Sequence, residues 1–143
     1  MPQIHMVAKA LIRNADGKFL MLRSSKWEEN PERSLKPDLP GGMVEAGETP
    51  QQGVAREVYE EAGLRIATER FTLLYTETEF YENTDTSVLR HIFYATVDNA
   101  DVTLSWEHDE YRWVNADELV ASEWRPFYDR ANSYIFEHRL IED

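Results

Sequence analysis

GGMVEAGETPQQGVAREVYEEAGL, residues 41–64, carries both the punctuation of a helix and a concentration of like charge. Thr49 stands where a helix N-cap belongs, Pro50 follows at the first helical position, and Gln52 completes a capping-box pattern. Gly63 supplies the left-handed stop, which predicts a helix over 49–63. At about 100° per residue, Ala55, Val58, Tyr59 and Ala62 form an apolar arc directed at a core. Opposite it, REVYEE (56–61) sets Glu57, Glu60 and Glu61 three and four residues apart, on one face. Like charges at that spacing cost about 0.2–0.5 kcal/mol per pair on a helix surface, so a bound cation is the natural compensation. A solvated acidic face is the plain alternative.

Working outward, HMVAKALI (5–12) and KFLMLR (18–23) read as strands joined by a tight turn at Asp16-Gly17. SSKWEENPERSLKPD (24–38) is polar and proline-punctuated, and a loop of that length inside a small domain tends to be functional. LPGG (39–42) is a second irregular turn. Downstream, FTLLYTETEF (71–80) and SVLRHIFYATV (87–97) read as paired strands around ENTD (82–85), and EYRWV (110–114) alternates like another. Asn115 with Glu118 caps a short helix, and Phe127, Ala131, Tyr134 and Ile135 form a stripe on a last helix within 126–139. No repeat or linker interrupts the chain, so residues 1–143 are expected to form a single mixed α/β domain.

Composition narrows the function. The 143 residues hold 42% hydrophobic and 29% charged side chains, as a globular domain does. With 27 acidic against 15 basic residues the formal net charge is −12, which argues against general nucleic-acid binding, since that rests on a basic footprint. A small phosphorylated ligand remains compatible if cations and a few arginines neutralise it locally. No apolar run is long enough to predict a membrane span. The absence of cysteine excludes disulfides, thiolate metal sites and cysteine nucleophiles, and fits a cytoplasmic setting.

The segment 42–64 resembles the Nudix box, G-x5-E-x7-R-E-U-x-E-E-x-G-U with U a bulky aliphatic. Gly42, Glu48, Arg56, Glu57, Val58, Glu60, Glu61, Gly63 and Leu64 meet every fixed position. The resemblance implies a Nudix fold, a mixed β-sheet sandwiched between α-helices. It also implies hydrolysis of a nucleoside diphosphate linked to another moiety, with Mg2+ as cofactor and Mn2+ as substitute. Metal ligands carried over from similar enzymes are the Gly41 carbonyl, Glu57, Glu60 and Glu61, all hard oxygen donors of the kind Mg2+ prefers. Arg56 is expected to pair bidentately with Glu48 and pin the loop to the helix rather than to bind phosphate.

Beyond the box, Glu107 lies six residues before Trp113, the spacing of a loop glutamate in Nudix enzymes that clean oxidised guanine nucleotides. Glu107 is therefore the expected further ligand, with Glu110 second; either Glu57 or Glu107 is expected to act as general base. His108 is a donor to substrate or a packing residue. Arg23 is expected at a substrate phosphate, Trp27 on a base or as a lid, and Tyr81 and Arg90 beside the base pocket. Gly53, one turn before Glu57, leaves room for phosphate or metal, or is simply tolerated. Nucleoside triphosphates, including oxidised ones, rank above dinucleoside polyphosphates, nucleotide sugars and ADP-ribose as substrates. A nucleotide-binding sensor without turnover is the alternative of another class. A homodimer is compatible with the chain, but oligomeric state is not legible in it.

Overall fold

The computed structural model describes residues 1–98 and 101–141. Its strands are β1 (Gln3–Arg13), β2 (Phe19–Ser24), β3 (Pro37–Asp38), β4 (Gly41–Met43), β5 (Thr72–Tyr81), β6 (Thr86–Thr96) and β7 (His108–Val114). The helices are α1 (Pro50–Ala62), α2 (Ala116–Ala121) and α3 (Pro126–Glu137). All seven strands belong to one mixed sheet with β3-β2-β1-β6-β5 as its main path. β1 runs parallel to β6 from Gln3↔Thr86 to Arg13↔Thr96, and β5 returns antiparallel on the far side of β6.

Strand parity distributes the core. Because successive side chains point to opposite faces, Ala8, Ala10 and Ile12 of β1 and Leu20 and Leu22 of β2 pack on Val54, Val58 and Ala62 of α1. Leu11, Phe19 and Met21 point the other way, onto Leu119 of α2 and Phe127, Tyr128, Ala131 and Ile135 of α3. Both faces are covered, which is why these strands read as nearly continuous apolar runs. No helix among the described residues is long and apolar enough to cross a membrane.

The sheet opens where the site lies. β1 and β2 share register only at Arg13↔Phe19 and then diverge. β1 continues beside β4 (Val7↔Met43 to Lys9↔Gly41), while β2 pairs with β7. The short strand β4 therefore delivers the first glycines of the box to the middle of β1.

The ends of α1 are as read from the sequence. The Thr49 hydroxyl accepts from the Gln52 amide, the Gln52 side chain accepts from the Thr49 amide, and Gly63 closes the helix at φ 72°. Its core face is not. Val54, Val58 and Ala62 are buried, whereas Tyr59 is 45% exposed and lies under the Arg65 guanidinium, 4.3 Å from its ring centroid. Tyr59 sits at the edge of the arc, where a phenol reaches water more cheaply than it buries its hydroxyl. Tyr134 of α3 departs in the same way: 45% exposed, it stacks on His138 at 4.0 Å, and Tyr128 takes its place in the core.

Candidate active site

Arg56 builds the scaffold. Its Nε and Nη2 donate to Glu48 Oε2 and Oε1 at 2.7 and 3.0 Å, and Nη2 donates to the Met43 carbonyl at 3.1 Å. Glu48 Oε1 also accepts from the Glu45 amide at 2.8 Å, so the 43–48 loop is tied to α1 through one guanidinium. A Cβ on Gly53 would meet Glu48 Oε1 and Val44 Cγ2, both at 3.2 Å. Gly53 thus admits the loop rather than leaving space for phosphate or metal.

The third Arg56 nitrogen, Nη1, divides the glutamates. It donates to Glu57 Oε1 at 3.0 Å and to Glu60 Oε2 at 3.3 Å. Glu57 and Glu61, one turn apart, line a cleft of about 900 Å³ together with Gly41 and Gly42. Glu60 lies about 100° round the helix from Glu61; its side chain is 54% exposed and outside the cleft. Of the three carboxylates expected on one face, Glu57 and Glu61 line the cleft, while Glu60 stands at its edge on the Arg56 guanidinium.

The remaining pair is crowded. A Cβ on Gly42 would stand 2.9–3.0 Å from the Glu57 carboxylate, and the Gly41 amide donates to Glu61 Oε1 at 3.3 Å. Glu61 is buried beside Glu57, and burial first, then that neighbour, push its carboxyl up to about 9 against the pull of Lys9.

Beneath them lies a polar cluster that sequence reading did not anticipate. Asp38 is fully buried and accepts from Lys9 Nζ (3.3 Å), Tyr128 Oη (2.9 Å), Arg125 Nη2 (3.4 Å) and the Leu39 amide (2.9 Å). His108 Nε2 lies 2.8 Å from its second oxygen, and His108 Nδ1 lies 3.8 Å from Glu61 Oε1. Burial alone would raise the Asp38 carboxyl, but the Lys9 ammonium and the His108 hydrogen bond hold it well below the carboxylate range. His108 is therefore a buried strut between β3 and α1, not a donor to substrate. The signal that was present is a lysine in the middle of the apolar run HMVAKALI.

At the rim, Glu107 lines the cleft and pairs with Arg33 Nη2 at 3.2 Å. Glu110 instead faces Arg23 across the β2/β7 pair. Arg23 donates bidentately to Asp109 at 2.8 and 3.0 Å on a separate surface, so it is not at the cleft as expected. Trp27 does not line the cleft either. Its ring packs on Trp106 at 5.3 Å and carries the Arg33 guanidinium at 4.2 Å, which makes it a brace for Arg33. Tyr81 and Arg90 do line the cleft, joined through Glu79: Arg90 Nη1 donates to Glu79 at 2.7 Å, and Arg90 Nη2 to the Tyr81 hydroxyl at 3.0 Å.

Among the described residues, no three carboxylate or imidazole side chains are gathered as a ligand set. What the cleft floor offers is two adjacent carboxylates beside the backbone of Gly41, with oxygen the only donor type. That donor set fits a hard divalent cation, which is commonly held by one or two carboxylates with substrate phosphates completing its shell. A cation there would also offset the burial that disfavours the charged form of Glu61.

The model of the NUDIX domain matches residues 3–134. The chain belongs to the NUDIX domain family. An 8-oxo-dGTP diphosphatase of Haemophilus influenzae is 30% identical to this Nudix protein over 141 residues, 99% of the chain and 94% of that protein. A MutT-like protein of Streptomyces ambofaciens is 31% identical over 122 residues, 82% of the chain and 69% of its own length. The crystal structure of a MutT protein from Methanosarcina mazei superposes with a TM-score of 0.77 at 35% identity, covering 99% of this chain and 98% of that one. The fold is thus a Nudix fold and the protein a Nudix pyrophosphohydrolase of small nucleotides.

Proposed function

We propose that the chain, acting as one domain, is a Mg2+-dependent pyrophosphohydrolase of (deoxy)nucleoside triphosphates, including oxidised ones. The observation that carries this reading is the Glu57–Glu61 carboxylate pair beside Gly41 on the floor of the cleft, inside a complete Nudix box. The 8-oxo-dGTP diphosphatase of H. influenzae, similar over nearly the whole of both chains, supports the substrate class.

Glu57, Glu61 and the Gly41 carbonyl would hold the cation, and Glu60, which shares Arg56 Nη1 with Glu57, would join them by turning toward the cleft. When bound, the cation supplies charge neutralisation at the phosphates and lowers the pKa of a water. The chain itself does the rest. Glu57, steadied by Arg56, takes the proton of the attacking water. Arg33, Lys36 and Arg125, which line the cleft, bind the phosphate oxygens and set the scissile bond against Glu57. Glu107 holds Arg33 in place and is the second candidate for the base.

A dinucleoside polyphosphate is the second reading, favoured by the size of the cleft and by the further cations Arg90 and Arg130 along it. A hydrolysis screen with Mg2+ over dNTPs, 8-oxo-dGTP, dinucleoside tetraphosphates and nucleotide sugars separates the two. Monophosphate and pyrophosphate from a triphosphate are the expected products. Stoichiometric nucleotide binding with no turnover of any substrate would instead leave a sensor and sink the proposal.

A further inference from the structure

Lys9 is an expensive residue for its place. It sits in the middle of β1 on the face shared with Leu11, only 9% exposed, directly opposite Gly41 in the β1/β4 pair. Its three ammonium protons have three acceptors: the Gly41 carbonyl at 3.0 Å, the Leu39 carbonyl at 3.2 Å and Asp38 Oδ1 at 3.3 Å. All three belong to the four residues 38–41 that enter the site. A buried ion pair of this kind is weak evidence for stability, because apolar replacements of both partners are often neutral or better. Packing β1 therefore does not account for it.

The geometry around Gly41 does. Its backbone is at φ +141°, and a Cβ there would stand 2.1 Å from the Ala8 carbonyl and 2.6 Å from Lys9 Cα. The chain is pressed onto β1 at the point where the Lys9 stem passes, and the ammonium fixes where the Gly41 oxygen points. One lone pair of that oxygen accepts from Lys9, and the other is left for a ligand. Asp38, anchored to α3 by Tyr128 and to β7 by His108, cancels the charge locally. The lysine thus orients an oxygen without adding an uncompensated charge against an incoming cation.

We propose that Lys9, backed by Asp38, is a positioning residue for divalent cation binding, aiming the Gly41 carbonyl into the site formed with Glu57 and Glu61. This rests on the reading of those three residues as the cation site. Groups that orient metal ligands cost about 10–100-fold in affinity when lost, which sets the expected effect.

The test is Mn2+ alone, titrated into the full chain and followed by the EPR signal of free Mn2+, for wild type, K9R, K9M, the double variant K9M/D38N and E57Q. K9M/D38N removes both members of the buried Lys9–Asp38 pair and keeps the experiment decisive if K9M alone does not fold. The proposal expects K9M or K9M/D38N to keep the wild-type circular dichroism but to bind Mn2+ at least about tenfold more weakly. K9R, which retains charge and donors, should restore affinity to within about threefold of wild type. It also expects K9M/D38N to show a raised KM for Mn2+ in activity assays while its kcat recovers at high Mn2+. If E57Q loses Mn2+ but folded K9M/D38N binds like wild type, Lys9 is only structural and the proposal is overturned. If wild type and E57Q bind Mn2+ equally or not at all, the cation site itself is misplaced and both readings fall.

Discussion

Replacing Asp38 by Asn changes one atom at the best-connected buried carboxylate of the molecule. The amide fits the same space, so no cavity forms, but the Lys9 ammonium loses its counter-ion while remaining buried. Breaking one side of a buried pair costs about 3–5 kcal/mol. At roughly 4 °C per kcal/mol for a domain of this size, the D38N melting temperature should fall by about 12–20 °C at pH 7. K9M should also destabilise, by less, because Asp38 keeps Arg125, His108 and Tyr128 as partners. The double variant K9M/D38N, which removes both members of the pair, should then fall short of the sum of the two by about 0.5–3 kcal/mol. The pH dependence has a definite sign. Because the folded Asp38 carboxyl lies below its ordinary value, its contribution is complete above the unfolded pKa of about 4. It is lost as pH falls below that value toward the folded one. The folded Lys9 ammonium lies above its ordinary value, held there by Asp38 against the opposing effect of burial. Its contribution is complete below about pH 10 and is lost as pH rises further. Between these limits the gap between wild type and D38N should be constant, and at acid pH it should close. Urea unfolding of the four proteins from pH 3 to 8 measures the constant gap and the start of its narrowing below about pH 4. Additivity of the single variants within about 0.5 kcal/mol, or a D38N protein as stable as wild type at pH 7, would refute the buried pair.

Three other substitutions probe separate links. Gly42→Ala places a Cβ against the far end of the Glu57 side chain, 2.9–3.0 Å away, so the fold should survive with a melting temperature near wild type. Hydrolysis should nevertheless fall by about 10²-fold through displacement of that carboxylate, measured as kcat on a triphosphate. Gly41→Ala meets backbone rather than a flexible side chain and demands φ +141°, so a loss of about 2–5 kcal/mol in urea unfolding is expected, with little folded protein at 37 °C. Thr49→Ala removes the capping box of α1 and should lower stability by about 1 kcal/mol, leaving kcat and KM unchanged because the cap lies outside the cleft.

Local chemistry was the legible part of the sequence. Thr49, Pro50, Gln52 and Gly63 delimit α1 because capping depends on neighbours three residues away. Arg56 meets Glu48 because both lie in one loop–helix unit. What spacing could not resolve was direction within a turn. Glu60 and Glu61 are adjacent in sequence yet point about 100° apart, and the tyrosines at 59 and 134 lie at the edge of their arcs. Long-range pairing hid the rest. Lys9, Asp38, His108 and Tyr128 meet only because β3 and β7 both pair with β2 beside β1 and α3 packs beneath them. Arg23 follows the same rule in reverse, since the β2/β7 register delivers it to Asp109 and Glu110 instead of to the cleft.

The most direct test of the site is the rate of pyrophosphate release from a deoxynucleoside triphosphate by wild type, E57Q and E61Q at saturating Mg2+, with folding checked by circular dichroism. Wild type should turn over only while the divalent cation is present, and both folded variants should lose at least about 10²-fold in kcat/KM. Wild-type rates in both variants would show that the carboxylate pair on the cleft floor is not the centre of the chemistry.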